Sequence, residues 1–201
     1  LGVGDESQEI RANVFLSLPP SLDHVVSHSE NVHCLIEALN DESFDVRAAA
    51  MSVLSRVAHY DHVHVMPLVR LTLSKLMRQL HNTKDLLLRQ ESVQLLQAMV
   101  RGTNILIVPY VRQVLEPLMT LLDDPSSAIV GAALSTIGEL AIASPENVAE
   151  HINVLLPRLI QALNDQTSLS KQESSIIALG RLVSSLNLVS DPYKQYPILF
   201  E

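Results

Sequence analysis

The sequence predicts an all-α chain wound as an α-α superhelix, a solenoid of antiparallel helix pairs. Three observations predict it. Hydrophobic residues make up 47% of the 201 and aromatics only 3%, with 34 Leu and no Trp, so the core is aliphatic and suits helices packed on helices. Six Gly are too few for an all-β or dinucleotide-fold chain, whose tight turns demand them. Above all, one helical pattern recurs five times along the chain.

The anchors of that pattern are Arg11, Arg47, Arg89, Val130 and Gln172, at intervals of 36, 42, 41 and 42 residues. Three residues beyond them stand Val14, Ala50, Ser92, Ala133 and Ser175, and one further on Phe15, Met51, Val93, Leu134 and Ile176. Offset seven carries Leu18, Leu54, Leu96, Ile137 and Leu179; offset ten carries Val57, Met99, Leu140 and Leu182 in the four later copies. These offsets trace one stripe of an α-helix. Ahead of each copy lies a polar break containing Asp5, Asp41, Thr83, Asp124 or Asp165, residues that accept hydrogen bonds from free N–H groups where a helix begins.

Taken in order, the elements are a second helix over 8–18, then repeats over about 29–60, 65–101, 105–143 and 147–186, then the start of a further repeat over 193–201. Each repeat opens on an apolar first helix, as in Val32–Leu39, Val65–Leu80, Ile105–Leu122 and Val148–Leu163. Pro67 and Pro109 are expected in first turns, where a missing N–H is harmless, and Pro117 and Pro157 inside first helices, where they should kink the axis. Two helices in about forty residues fit HEAT or armadillo units. No consistent third helix is visible, which favours HEAT. Such units bury their apolar faces only by stacking, so the array is expected to end in unshielded apolar surface.

Net charge −8 and a pI near 5.4 argue against a nucleic-acid binder, which needs a basic footprint. No apolar run approaches the ~18 residues of a membrane span. Cys34 is the only cysteine, so no internal disulfide or Cys-rich zinc site can form; its thiol is expected to be buried as a small hydrophobe. The opening residues, Leu1-Gly2-Val3-Gly4, lack an initiator Met and a leader, so the chain reads as a piece of a longer intracellular protein.

Glycine-rich phosphate loops, nucleophile elbows and HExxH or CxxC motifs are all missing from the sequence. No catalytic residue, cofactor or metal is therefore assigned. His59-Tyr60-Asp61-His62-Val63-His64 holds potential zinc ligands, but it straddles a helix end, where no regular geometry converges them. His24 and His28 share helical spacing without a third ligand and read as surface or packing residues.

Charge is unevenly placed. Between Met66 and Val114 stand Arg70, Lys75, Arg78, Lys84, Arg89, Arg101 and Arg112 against Asp85 and Glu91, a net +5 on a chain that is −13 elsewhere. A basic band on an acidic rod suits an acidic partner surface. Arg70, Lys75 and Arg78 are the candidate partner-binding residues; Arg89 belongs with the repeat framework. Asp41 with Arg47, and Asp5 with Arg11, read as internal ladder and capping residues.

Several stretches resemble one HEAT array: Glu37-Ala38-Leu39-Asn40-Asp41, Val65-Met66-Pro67, Thr136-Ile137-Gly138-Glu139-Leu140-Ala141, Leu179-Gly180-Arg181-Leu182-Val183 and Asp191-Pro192-Tyr193-Lys194-Gln195-Tyr196-Pro197. In order, these are similar to the amino-terminal solenoid of the target of rapamycin (TOR) serine/threonine protein kinases. The resemblance implies a non-catalytic scaffold segment of an ATP-dependent kinase that controls growth in response to nutrients, its kinase domain lying outside these residues. It also implies a Raptor- or Rictor-type regulatory subunit and a second copy of the parent chain as partners. The implied location is cytoplasmic, with peripheral recruitment to lysosomal or vacuolar membranes. Rival readings are a nuclear transport receptor of the importin-β type and a phosphatase scaffold subunit. The first lacks its acidic insertion loop here, and the second has more uniform repeats.

Overall fold

The computed structural model describes residues 2–186, and within them every regular element is helical. Residues 191–197 and the expected repeat start at 193–201 lie outside the described residues. The helices are α1 (Gln8–Leu16), α2 (Asp23–Val26), α3 (Ser29–Ala38), α4 (Phe44–Tyr60), α5 (His62–Asn82), α6 (Leu86–Thr103), α7 (Val111–Leu121), α8 (Ser127–Ala143), α9 (Pro145–Ala149), α10 (Ile152–Leu163) and α11 (Leu169–Ser185).

Second helices α1, α4, α6, α8 and α11 stack in chain order as one layer. First helices α3, α5, α7 and α10 each lie against the second helix that follows, and α3, α5 and α7 also touch in turn. The repeat stripe is the reason. Ala50, Met51, Leu54 and Val57 of α4, Val93, Leu96 and Met99 of α6, and Ala133, Leu134, Ile137 and Leu140 of α8 are all buried. On α11 the stripe is only partly covered: Ser175, Ala178 and Leu182 are buried, but Ile176 is 57% exposed. Ile10 and Leu16 of α1 are exposed at the opposite edge.

Each polar break folds the same way. The Asp5, Asp41, Asp124 and Asp165 carboxylates accept the backbone N–H two residues on, at 2.8–3.0 Å, and the Thr83 hydroxyl accepts that of Asp85 at 3.3 Å. The carboxylate thus shapes the turn just upstream of the helix. In the 83–85 turn, Asp85 itself caps α6 by accepting from Leu87 N–H.

The first helices depart from the expected simple rods. Three of the four carry a short helical piece in front: Pro20–Leu22 with α2 before α3, Asn104–Tyr110 before α7, and α9 before α10. Each piece contains a proline, Pro20, Pro109 or Pro145, whose missing donor and fixed φ favour a short, separate turn. A short third segment, for which the sequence shows no consistent signal, is therefore present in these three repeats. Pro117 and Pro157 lie within continuous α7 and α10, and the interruptions fall seven residues upstream, after Tyr110 and Glu150. Pro67 sits inside α5 and not in its first turn, because Asp61 starts that helix early by accepting from His64 N–H at 3.2 Å.

Candidate protein-docking surface

The anchor arginines build a ladder between repeats. Arg11 Nη1 donates to Asp5 O and Glu6 O of its own turn, while Nε and Nη2 donate to the two carboxylate oxygens of Asp41 in the next turn, both at 2.8 Å. Arg89 reaches the Asp124 carboxylate, whose side chain is 2% exposed, in the same sense. Arg47 repeats the first half of the arrangement, donating to Asp41 O and Glu42 O. The Asp41 carboxylate itself faces back to Arg11, so both residues belong to the internal ladder. The next turn offers Thr83 where the others offer Asp, so Arg47 Nη2 is diverted to Glu91 of α6. Val130 has no charge to offer Asp165, and Lys171 supplies it from within the same repeat at 2.8 Å.

These contacts set the electrostatics. The Arg11 hydrogen bond holds the Asp41 carboxyl below the usual range, and Asp41 raises Arg11 in return. Asp165 is also held low, first by Lys171 and then by Thr167.

Where Thr83 interrupts the ladder, packing opens. A cavity of about 190 Å3 lies between α4, α5 and α6, with Arg47, Met51, Lys75, Leu76, Leu88 and Glu91 among its walls. Leu88 stands one residue before its anchor and is 40% exposed, whereas its equivalents Val46 and Ile129 are 1% and 0% exposed. The equivalent Ile10 at the end of the stack is likewise exposed, at 47%, so Leu88 is the one such position left out of the core between two flanking second helices. Leu86 and Leu87 beside it are 52% and 63% exposed.

The basic band divides into spent and free cations. Arg89 pairs with Asp124, Arg101 lies 3.9 Å from Glu139, and Arg112 pairs with Glu150 at 2.8 Å. Lys75, expected to face a partner, turns inward and donates to Asn40 Oδ1 at 2.6 Å and Leu39 O at 3.3 Å, tying α5 to the end of α3. Burial, helped by Arg47, pushes its ammonium below the usual range. Arg70, Arg78 and Lys84 are exposed, with no carboxylate within ion-pair distance among the described residues.

Other side chains also differ from expectation. Cys34 is exposed, since α3 buries Val32, Leu35, Ala38 and Leu39 and leaves Cys34 on the opposite face with Asn31 and Glu37. The His59–His64 cluster diverges: His59 Nε2 meets Gly102 O of the next repeat at 2.7 Å, and His64 Nδ1 meets Asp61 at 2.9 Å. His24 packs near Tyr60, with ring centroids 6.3 Å apart.

Two further ties lacked any sequence signal. Asp23, 5% exposed, accepts Arg56 at 2.8 Å, joining α2 to α4. Glu139 of α8 accepts Arg181 of α11 at 2.9 Å, close to Arg101 of α6. Neither pair falls on the repeat anchors.

Comparison with known proteins agrees with this architecture. A family model described as "Stalled ribosome sensor GCN1-like, HEAT repeats" matches residues 32–152, and a HEAT-like repeat model matches 130–182. Over 99% of its length the chain is 32% identical to serine/threonine-protein kinase tor1 of Schizosaccharomyces pombe, covering 9% of that protein. It is 32% identical to TOR of Arabidopsis thaliana over 98% of its length and 28% identical to TOR2 of Saccharomyces cerevisiae over 99%, covering 8% of each. The chain thus matches the repeat region of these kinases and spans under a tenth of their length. Among solved structures, an engineered protein has a TM-score of 0.61 at 18% identity, covering 95% of this chain and 82% of its own. A designed armadillo repeat protein has a TM-score of 0.52 at 20% identity, with coverages of 90% and 79%. These two likenesses concern the fold alone.

Proposed function

We propose, from the premise that this chain belongs to the HEAT-repeat family, that it is a scaffold segment of a TOR-type serine/threonine protein kinase. The observation that carries the reading is the match to TOR kinases along nearly the whole chain. The segment is a run of HEAT repeats, and in this reading its contribution is spatial. An array tied from turn to turn by Arg11–Asp41 and Arg89–Asp124 resists bending at those junctions and holds what it binds at a fixed distance and angle.

In this reading the kinase domain lies elsewhere in the parent chain. The array positions a Raptor- or Rictor-type regulatory subunit, and through it substrates, within a complex containing two copies of the parent. The assembly is cytoplasmic and recruited peripherally to lysosomal or vacuolar membranes. No described helix is long and apolar enough to cross a membrane, which is consistent with peripheral attachment.

Gentle purification of the tagged parent from its own cell, followed by mass spectrometry, tests the assignment. A very large chain with a kinase domain and a Raptor- or Rictor-like subunit supports it. An all-repeat chain carrying a small GTPase or a phosphatase catalytic subunit would replace it with a transport receptor or phosphatase scaffold.

A further inference from the structure

We propose that the cavity between α4, α5 and α6 is a docking socket for a partner segment that carries one bulky apolar side chain flanked by acidic residues. The inference rests on reading the chain as a protein-binding scaffold, and it does not depend on which parent carries it.

The floor of the socket is apolar, with Met51, Leu76 and Leu95 1%, 2% and 6% exposed, while its polar wall holds two carboxylates, Asp41 and Glu91, already paired with Arg11 and Arg47. At its mouth Leu88 occupies a position that the neighbouring repeats bury completely. A volume of about 190 Å3 lies below the ~300 Å3 from which small-molecule and cofactor sites begin, so it suits one inserted side chain better than a metabolite.

The surroundings set the charge of the occupant. A second, more open depression shares Lys75 and Gln79 with the socket and is bordered by Arg78 and Thr83, with Lys84 next in sequence. Arg78 and Lys84 are exposed and unpaired among the described residues. Arg70 stands eight residues before Arg78 on α5, about 12 Å along the axis. The other cations of the band are engaged within the fold. An apolar floor beside unpaired cations has the layout of a protein interface, a desolvated centre with charges at the edge that choose the partner. A basic segment would face the unpaired Arg78 and Lys84, with Asp85 the one exposed carboxylate beside them in sequence.

The test uses the purified full-length parent and fluorescence anisotropy. The probes are short labelled peptides with one central leucine, methionine or phenylalanine between runs of glutamate and aspartate. Controls carry glutamine flanks or a central alanine. The acid-flanked apolar peptides should bind, with affinity falling as salt rises. The Arg78→Glu, Lys84→Glu double variant should weaken binding by about tenfold. Both positions are exposed and make no internal bond, so that variant keeps the fold. Leu88→Gln should weaken binding at low and high salt alike.

Equal binding of the glutamine-flanked controls, or an affinity unmoved by both variants, would overturn the socket. So would self-association of the parent that the double variant abolishes without any peptide binding, since the occupant would then be a second copy. Co-purification of the regulatory subunit, followed in the same preparations, separates the two readings. If the subunit is retained and the peptides fail, only the socket is wrong. If both are lost, the scaffold reading fails with it.

Discussion

Arg11 holds the Asp41 carboxylate with two parallel 2.8 Å hydrogen bonds while its remaining nitrogen ties the carbonyls of Asp5 and Glu6. One guanidinium therefore fixes the turn of its own repeat against the turn of the next. Arg89 and Asp124 make the same inter-repeat pair; the series is interrupted at Thr83, which offers Arg47 no carboxylate, and at Val130, which offers Asp165 no cation.

Removing a rung should loosen the stack locally. Asp124→Ala deletes the partner of Arg89 and the acceptor for Ser126 N–H, leaving a cation uncompensated at a nearly buried site. The expected cost is about 3 kcal/mol. Hydrogen exchange in the parent chain should show α6 and α8 amides opening about a hundredfold more often. Unchanged protection would mean that the pair contributes nothing.

Restoring the missing rung should do the reverse. Thr83→Asp places a carboxylate where Arg47 can reach it as Arg11 reaches Asp41. Protection of α4 and α6 should rise by a few fold, equivalent to about 1 kcal/mol. No gain would show that Glu91 already satisfies Arg47 fully.

Acid should weaken the ladder in a defined direction. Asp41 and Asp165 are held below the unfolded carboxylate value of about 3.9. Their stabilisation is fully present above that value and is lost as pH falls through the lower folded values. Asp41→Asn removes one of these contributions. Acid unfolding followed by circular dichroism should therefore be shallower in the variant, and coincident profiles would contradict the assignment.

The α4–α6 crossing should tolerate nothing larger than hydrogen at Gly102. A Cβ there would overlap the Ser55 side chain, whose buried hydroxyl has no partner among the described residues. Gly102→Ala should cost about 1–3 kcal/mol, read as a lower unfolding midpoint. Ser55→Gly should recover part of the loss in the double variant. Failure to recover any would place the strain elsewhere.

Periodicity carried the fold. The anchors and their apolar offsets placed α4, α6 and α8 directly, because a stripe buried on both neighbours must repeat. Ends and interruptions were less legible. Pro109 and Pro145 mark short leading segments, but Pro67 looks the same in sequence and lies in an unbroken helix, since Asp61 caps it upstream. The turn Asp residues were recognisable as structural. Their exact partners were not legible, because a carboxylate bound to its own turn is aimed at the preceding repeat. Lys75 was lost from the docking surface for a related reason: nothing in its neighbourhood in sequence announces Asn40 and Leu39, an entire repeat away. Ties such as Asp23–Arg56 and Glu139–Arg181 depend on where neighbouring helices cross, and one sequence gives no register for that.

The scaffold reading is tested most directly by deleting residues 1–201 from the parent chain and measuring two quantities together. One is phosphorylation of a short free peptide, which reports an intact kinase domain; the other is the regulatory subunit recovered with the purified parent. The account predicts that peptide phosphorylation persists while recovery of the subunit falls to background. Full recovery of the subunit with the deleted chain would contradict it.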